Sequence, residues 1–118
     1  MVAVPRSGRA RAELPHPDVG DIDLLEVLHA LSDPTRMKIA QTLCETSERL
    51  CGTFEVNVAP STLSHHFRVL REAGVIWQRE DGNRRWTSLR RADLESRFPG
   101  LLDQIVDHYE HAGAATSR

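Results

Sequence analysis

Cysteine occurs only twice in this 118-residue chain, aromatic residues six times and lysine once, at Lys38. Cys44 and Cys51 stand seven residues apart with no Cys-x-x-Cys pair, which excludes a disulfide framework and a structural zinc knuckle. The scarcity of aromatics means that a core must be built from Leu, Val, Ile and Ala. No apolar run approaches the ~20 residues of a membrane span. The three arginines of residues 1–11 have no apolar stretch behind them, so no secretory signal is predicted. Nor is there a glycine-rich phosphate loop or a nucleophile–base pattern. These absences predict one cytoplasmic domain with reduced thiols and no enzymatic activity.

What is present is an uneven charge distribution. The formal net charge is −2, but the segments differ: +3 over 1–11, −6 over 12–60, +4 over 61–91 and −3 over 92–118. A basic block inside an acidic chain is the footprint of a polyanion-binding face. The near-total preference for arginine over lysine carries no functional information by itself.

Residues 1–20 lack periodicity and predict a flexible arm. From Asp21, Leu24, Leu25, Leu28 and Leu31 form one stripe of an amphipathic helix. Asp33-Pro34 caps and opens a second helix running to about Glu45 and burying Ile39, Ala40 and Leu43, with Cys44 packed inward. Residues 46–59 fit either a short helix or a tight connection. Pro60 opens another helix, with Leu63, Phe67 and Leu70 inward and Gly74 as its stop. Val75–Trp77 and Arg85–Leu89 read as strands around Asp81-Gly82-Asn83, a hairpin signal. Leu94, Phe98, Leu101, Leu102, Ile105, Val106 and Tyr109 form a last helical stripe, interrupted at Pro99. The sum is a mainly α (α+β) winged helix-turn-helix of five helices and a two-stranded β-hairpin wing. It occupies residues 21–112, followed by a flexible tail over 113–118.

On the helix after Pro60, Ser61, Ser64, His65 and Arg68 share a face distinct from the apolar stripe. Short hydroxyls approach base edges closely, arginine bonds guanine or phosphate with two prongs, and the helix N-terminus favours phosphate. The alternative for that face is a solvated polar surface. Arg79, Arg84 and Arg85 suit phosphates or a minor groove, against simple solubility. Trp77 and Trp86 read as packing residues of the wing rather than as a single-strand stacking platform.

Three stretches resemble the ArsR/SmtB family of winged-helix bacterial regulators. Ala30-Leu31-Ser32-Asp33-Pro34-Thr35-Arg36 is similar to its entry segment. Ser61-Thr62-Leu63-Ser64-His65-His66-Phe67, continuing through Val69 to Ile76, is similar to its recognition helix and following strand, and Gly82-Asn83-Arg84-Arg85 to its wing tip. The resemblance implies a homodimeric repressor of a pseudo-palindromic double-stranded operator, paired through its first and last helices and released by a metal or another signal. It places Ser61, Ser64 and His65 at DNA-contacting positions, with Thr62, His66 and Asn83 as flanking candidates. For the dimer surface the candidates are Leu24, Leu28, Leu101, Ile105 and Tyr109, which could instead fill the monomer's own core.

The signal is less legible. The family's thiolate site needs a second cysteine beside Cys51, where Gly52-Thr53 stand instead, so a soft-metal site is not expected. The site on the last helix is half present. His108 and His111 are spaced i, i+3, able to chelate nickel or zinc, and Glu95 stands at the carboxylate position. Arg97 replaces a histidine, and Asp107 or His16 could complete the set. The competing reading is two exposed histidines. His29 reads as an ordinary surface or interface residue. Control through Cys51 redox chemistry, control by a partner protein, and a plain interaction module docking an acidic protein are the other possibilities. A metal enzyme using His65, His66, His108 and His111 ranks last, because the pairs lie on separate helices without a positioned base.

Overall fold

The computed structural model describes residues 14–116, with side chains as far as Tyr109. It has five α-helices and a three-stranded antiparallel sheet in the order α1 (Leu24–Ala30), α2 (Pro34–Glu45), β1 (Arg49–Leu50), α3 (Pro60–Ala73), β2 (Ile76–Asp81), β3 (Arg84–Leu89), α4 (Arg91–Arg97) and α5 (Leu101–Thr116). Helices α2 and α3 form the helix-turn-helix and β2–β3 the wing. Among the described residues no helix is long and apolar enough to cross a membrane.

Caps set the helix boundaries. The first helix starts later than its apolar pattern suggests: a 3-10 turn occupies Val19–Asp21, and Asp23 then accepts a bond from the Glu26 amide at 3.2 Å. Asp33 caps α2 twice, its Oδ2 accepting from the amides of Thr35 (2.9 Å) and Arg36 (3.1 Å), while Pro34 opens the helix where an amide would be superfluous. Helix α3 begins at Pro60 and ends at Gly74, whose φ of +88° is the left-handed stop. The Val75 amide reaches the Leu70 carbonyl and the Gly74 amide that of Arg71, which pairs the last carbonyls of the helix.

Residues 46–59, left open between a short helix and a connection, contain neither a helix of the α type nor a strand at the β-branched Val56 and Val58. Instead Arg49 and Leu50 pair with Thr87 and Trp86, extending the sheet to the order β1-β3-β2. A two-residue strand has no periodicity to read, and its cause lies in β3, whose outer edge would otherwise leave backbone groups unpaired. The wing register runs from Ile76–Leu89 to Asp81–Arg84. Its two-residue loop is Gly82-Asn83, and Gly82 takes φ +68° as a tight right-twisted hairpin requires.

The core joins all layers: Ile22, Val27, Ala30, Ile39, Ala40, Leu70, Val75 and Ile76 are essentially inaccessible, and Leu94, Leu102 and Val106 close it from α4 and α5. The α1 stripe divides differently from its pattern. Val27, Ala30 and Leu31 are buried, whereas Leu24, Leu25 and Leu28 are exposed. The break at Pro99-Gly100 separates α4 from α5, as the proline suggested. The backbone of α5 continues to Thr116, into the stretch expected as a tail. Residues 14–20 of the expected flexible arm pack on the domain through His16 and Pro17; residues 1–13, and 117–118 of the tail, lie outside the described residues.

A Cβ on Gly74 would come within 2.6 Å of Ile22 Cγ1, in a backbone conformation that side chains disfavour. Gly74→Ala should therefore lower stability by roughly 2–4 kcal/mol in urea unfolding. Gly82→Ala, with open space around its Cβ, should cost about 1–2 kcal/mol. Equal losses at the two positions would show that the Ile22 contact is not felt.

Candidate nucleic-acid interface

Along α3 the side chains sort into two faces. Phe67 and Leu70 are buried and Leu63 partly so; Ser61, Thr62, Ser64, His65 and Arg68 are all exposed on the other side. Of that outward set, Ser64 lines a cleft of about 370 Å³ between α3 and the wing, together with Pro60, Leu63, Asn83, Arg84 and Arg85 among others. The structure thus brings Ser64 and the wing tip to one cleft.

His66 does not belong to it. It is 8% exposed and turned inward. Its Nδ1 lies 2.9 Å from Arg36 Nη1 and its Nε2 3.8 Å from Asp33 Oδ2. Because a guanidinium only donates, Nδ1 accepts, which defines the neutral ring with its proton on Nε2 facing Asp33. Burial holds the imidazole below its ordinary value, opposed by the Asp33 carboxylate and assisted by the charge of Arg36 and by His65. The expectation of a flanking DNA contact at His66 is corrected: the residue links α3 to the turn before α2. Arg36 completes the link, with Nε on the Ala30 carbonyl at 2.7 Å and Nη2 at 3.5 Å from that of His29.

A second buried network ties α3 to the wing. Gln78, inward on β2, accepts from Arg71 Nη1 at 2.8 Å and donates through Nε2 to Thr87 Oγ1 (3.1 Å) and Cys51 Sγ (3.3 Å). Desolvation pushes the Cys51 thiol up, against weaker lowering by Thr87 and nearby arginines. A half-buried thiol whose value is raised lacks the thiolate character of a redox sensor, which counts against the Cys51 redox expectation. Both cysteines are thiols. Arg36, Arg71 and Gln78 escaped the sequence reading. Gln78 was discoverable from alternation, two residues after Ile76 on the same strand face, and Arg36 from its place three and four residues before Ile39 and Ala40.

The wing arginines differ. Arg79 makes a two-pronged pair with Glu48, at 2.8 and 3.0 Å, and Arg85 pairs with Glu80. Arg84 lies over Trp86, whose ring also carries Arg79. Trp77 stacks on His16 with ring centroids 3.8 Å apart and receives Arg90. Trp86 is half-buried in the wing, as expected, whereas Trp77 keeps 45% of its surface exposed despite its stack on His16.

Of the interface candidates, Leu24 and Leu28 are about two-fifths exposed, as is Tyr109, while Leu101 is half-buried and Ile105 packs against the chain's own core. A groove of about 630 Å³ runs beside them between the α1–α2 turn and α5, lined by Leu31, Asp33, Pro34, Met37, Ile105 and Tyr109 among others. Among the described residues no three metal-ligating side chains gather. Glu95 accepts from the Gly100 amide and His108 meets Gln104 at 3.2 Å; the side chain of His111 lies outside the described residues. One chain's described donors therefore do not compose a metal site.

Comparison with known proteins agrees with this geometry. The model of the "Bacterial regulatory protein, arsR family" matches residues 33–77. An uncharacterized HTH-type transcriptional regulator of Bacillus subtilis, YceK, is 35% identical over 83 residues, which cover 68% of this chain and 83% of that protein. The arsenical resistance operon repressor of Staphylococcus aureus is 32% identical over 80 residues, 67% of this chain and 77% of its own. A crystal structure titled as a possible transcriptional regulator for arsenical resistance superposes with a TM-score of 0.54 at 30% identity, covering 72% of this chain and 97% of that one.

The His66 geometry has a pH signature. With its folded value depressed below the ordinary 6.5, the unfolded chain binds the proton more readily between the two values. The stability from neutral His66 is fully present above about pH 6.5 and declines as pH falls through that window. The parent's urea midpoint should therefore fall more than that of His66→Asn between about pH 7.5 and 5. Parallel profiles would show that the buried imidazole does not titrate differently on folding.

Proposed function

Because this chain belongs to the arsR family of bacterial regulatory proteins, and so is a transcriptional regulator rather than an enzyme, we propose that it acts as a homodimeric repressor. In this reading two copies bind a pseudo-palindromic double-stranded operator, each placing α3 in a major groove with its wing along the flanking backbone. The observation that carries it is the cleft shared by Ser64 and the wing tip at Asn83 and Arg84, on the helix whose Ser61, His65 and Arg68 are exposed. Dimerisation through α1 and α5 is supported by the exposed Leu24, Leu25, Leu28 and Tyr109. It sets the two recognition helices about one turn of DNA, or a multiple, apart.

Two relatives bear names that refer to metals or metalloids, the arsenical resistance operon repressor above and a cadmium resistance regulator homolog of the same organism. For this chain the metal reading rests on His108 and His111, whose nitrogens suit nickel or zinc, with Glu95 and residues of a second copy needed to complete a site.

Fluorescence anisotropy on the protein's own upstream DNA, against scrambled duplex and with nickel, zinc or chelator added, tests both parts. Preference for the upstream fragment is expected, and a change in affinity with one ion that disappears in His108→Ala/His111→Ala. Equal retention of scrambled DNA would favour a docking module instead. An ion-indifferent, specific complex would remove metal control while leaving the repressor reading intact.

Single substitutions divide the surface further. Ser64→Ala or His65→Ala should erode operator preference by about 1–3 kcal/mol per lost base contact. Arg84→Ala/Arg85→Ala should weaken binding to all sequences and flatten the salt dependence, with most of the loss from Arg84, since Arg85 is already held by Glu80. An unchanged salt slope would mean that the wing does not touch phosphate.

A further inference from the structure

The groove between the α1–α2 turn and α5 differs in chemistry from the cleft at the wing. Its walls are apolar, supplied by Leu31, Pro34, Met37 and Ile105, and the exposed ring of Tyr109 joins them. At about 630 Å³ it falls within the range of about 300–1,000 Å³ that accepts a small organic molecule. The exposed Leu24, Leu25 and Leu28, which support the dimer, do not line it.

Charge decides what kind of molecule fits. Of the described residues that line the groove, Asp33 is the one carboxylate, and no lysine or arginine joins it. The Asp33 side chain keeps 31% of its surface. Both of its amide bonds and the 3.8 Å approach of His66 fall on Oδ2. Arg36 does not line the groove and commits its guanidinium to the Ala30 carbonyl and His66. The start of α2 offers an anion nothing. Pro34 has no amide hydrogen, the amides of Thr35 and Arg36 are held by Asp33 Oδ2, and that of Met37 by the Asp33 carbonyl. Apolar walls, an aromatic face and one carboxylate are the components that recognise an organic cation.

We propose that this groove binds an organic cation, an ammonium or amidinium on an apolar body, with the charge on Asp33 and the body against Pro34, Met37 and Tyr109. The site goes beyond the DNA-binding reading and does not depend on it. It nevertheless touches the recognition helix through one residue. Of the charged or titratable groups around His66, namely Asp33, Arg36 and His65, only Asp33 lines the groove. Asp33 favours the protonated imidazole, so a cation that shares the carboxylate moves the His66 titration to lower pH.

The test titrates the full chain with benzamidinium, benzamide and benzoate, which share one shape and differ in charge. Chelator is present throughout, so that no metal bridges His108. Benzamidinium should saturate in the millimolar range or tighter. It should bind about three- to tenfold more tightly than benzamide, with benzoate weakest. No saturation, or equal affinity for all of them, would overturn the proposal. Asp33→Asn keeps the cap of α2 and should bring benzamidinium down to the level of benzamide; an undiminished preference would overturn the role of Asp33. Gln104→Phe, which fills the groove from an exposed position on α5, should weaken every probe. Unchanged affinity there would place the probes elsewhere. In NMR the His66 ring should titrate at lower pH with benzamidinium bound, and an unmoved titration would mean that the cation does not sit on Asp33. Probe affinity that falls as protein concentration rises would show a second copy filling the groove, which also overturns the proposal.

Discussion

The buried guanidinium of Arg36 is the joint on which this fold turns. A charged group that is 8% exposed must find partners for its donors, because an unpaired buried charge is among the costliest defects a domain can carry. Arg36 finds them for its guanidinium on two elements, α1 and α3. It closes the C-terminal carbonyls of α1, where a cation also meets the negative end of the helix dipole, and its own amide is capped by Asp33. Its Nη1 holds the imidazole of α3. One side chain thereby fixes the recognition helix relative to α1, whose leucines face outward. Removing it would take a donor from the Ala30 carbonyl and from the His66 ring nitrogen, so its loss would be felt at the proposed DNA face and the proposed dimer face together.

The far end of α3 is fixed by a different device. Arg71 reaches Gln78 on β2, and Gln78 joins Thr87 on β3 and Cys51 after β1. Helix α3 is therefore pinned near its middle by His66 and near its end by Arg71, with the hydroxyl-bearing first two turns left exposed. Polar networks of this kind add little net stability compared with apolar packing, but they penalise displacement steeply. That suits a helix whose exposed face must keep a fixed orientation to the wing. The groove between the α1–α2 turn and α5 borders the same Asp33 that faces His66. The far helix and the recognition helix thus share one carboxylate as a neighbour.

The legible parts of the sequence were those with a local physical cause. Asp33-Pro34, Gly74 and the Gly82-Asn83 loop act within a few residues, so helix limits and the wing followed from composition alone. The outward face of α3 followed from spacing. What stayed hidden depends on contacts distant in sequence. His66 stands three residues after Leu63 and four before Leu70, so its inward place was open to the same spacing argument; what stayed hidden is its partner Arg36, thirty residues away. Strand β1 exists because β3 offers an edge, and the Leu24/Leu28 stripe is exposed because Val27 and Ala30 already supply what the core needs from α1. The metal set was the least legible for the same reason: Glu95 has a local use, holding the Gly100 amide at the break between α4 and α5.

An acidic chain that binds a polyanion must localise its positive charge, and the structure shows this done by subtraction. Of the arginines on the wing strands, Arg79 and Arg85 are each matched by a carboxylate, Glu48 and Glu80. Their charge is therefore largely spent within the protein, and their side chains brace the hairpin. Neutralising them leaves Arg84 at the tip and Arg68 on the helix as the cations best placed to face DNA, near the hydroxyls that would read it. The non-specific, salt-sensitive component of binding grows with every additional phosphate contact, whereas discrimination comes from a few directed groups. A net charge of −2 with a small, placed set of unmatched arginines keeps the first component low relative to the second. Such a balance favours release from non-cognate DNA, and a repressor needs that release to find one site among many.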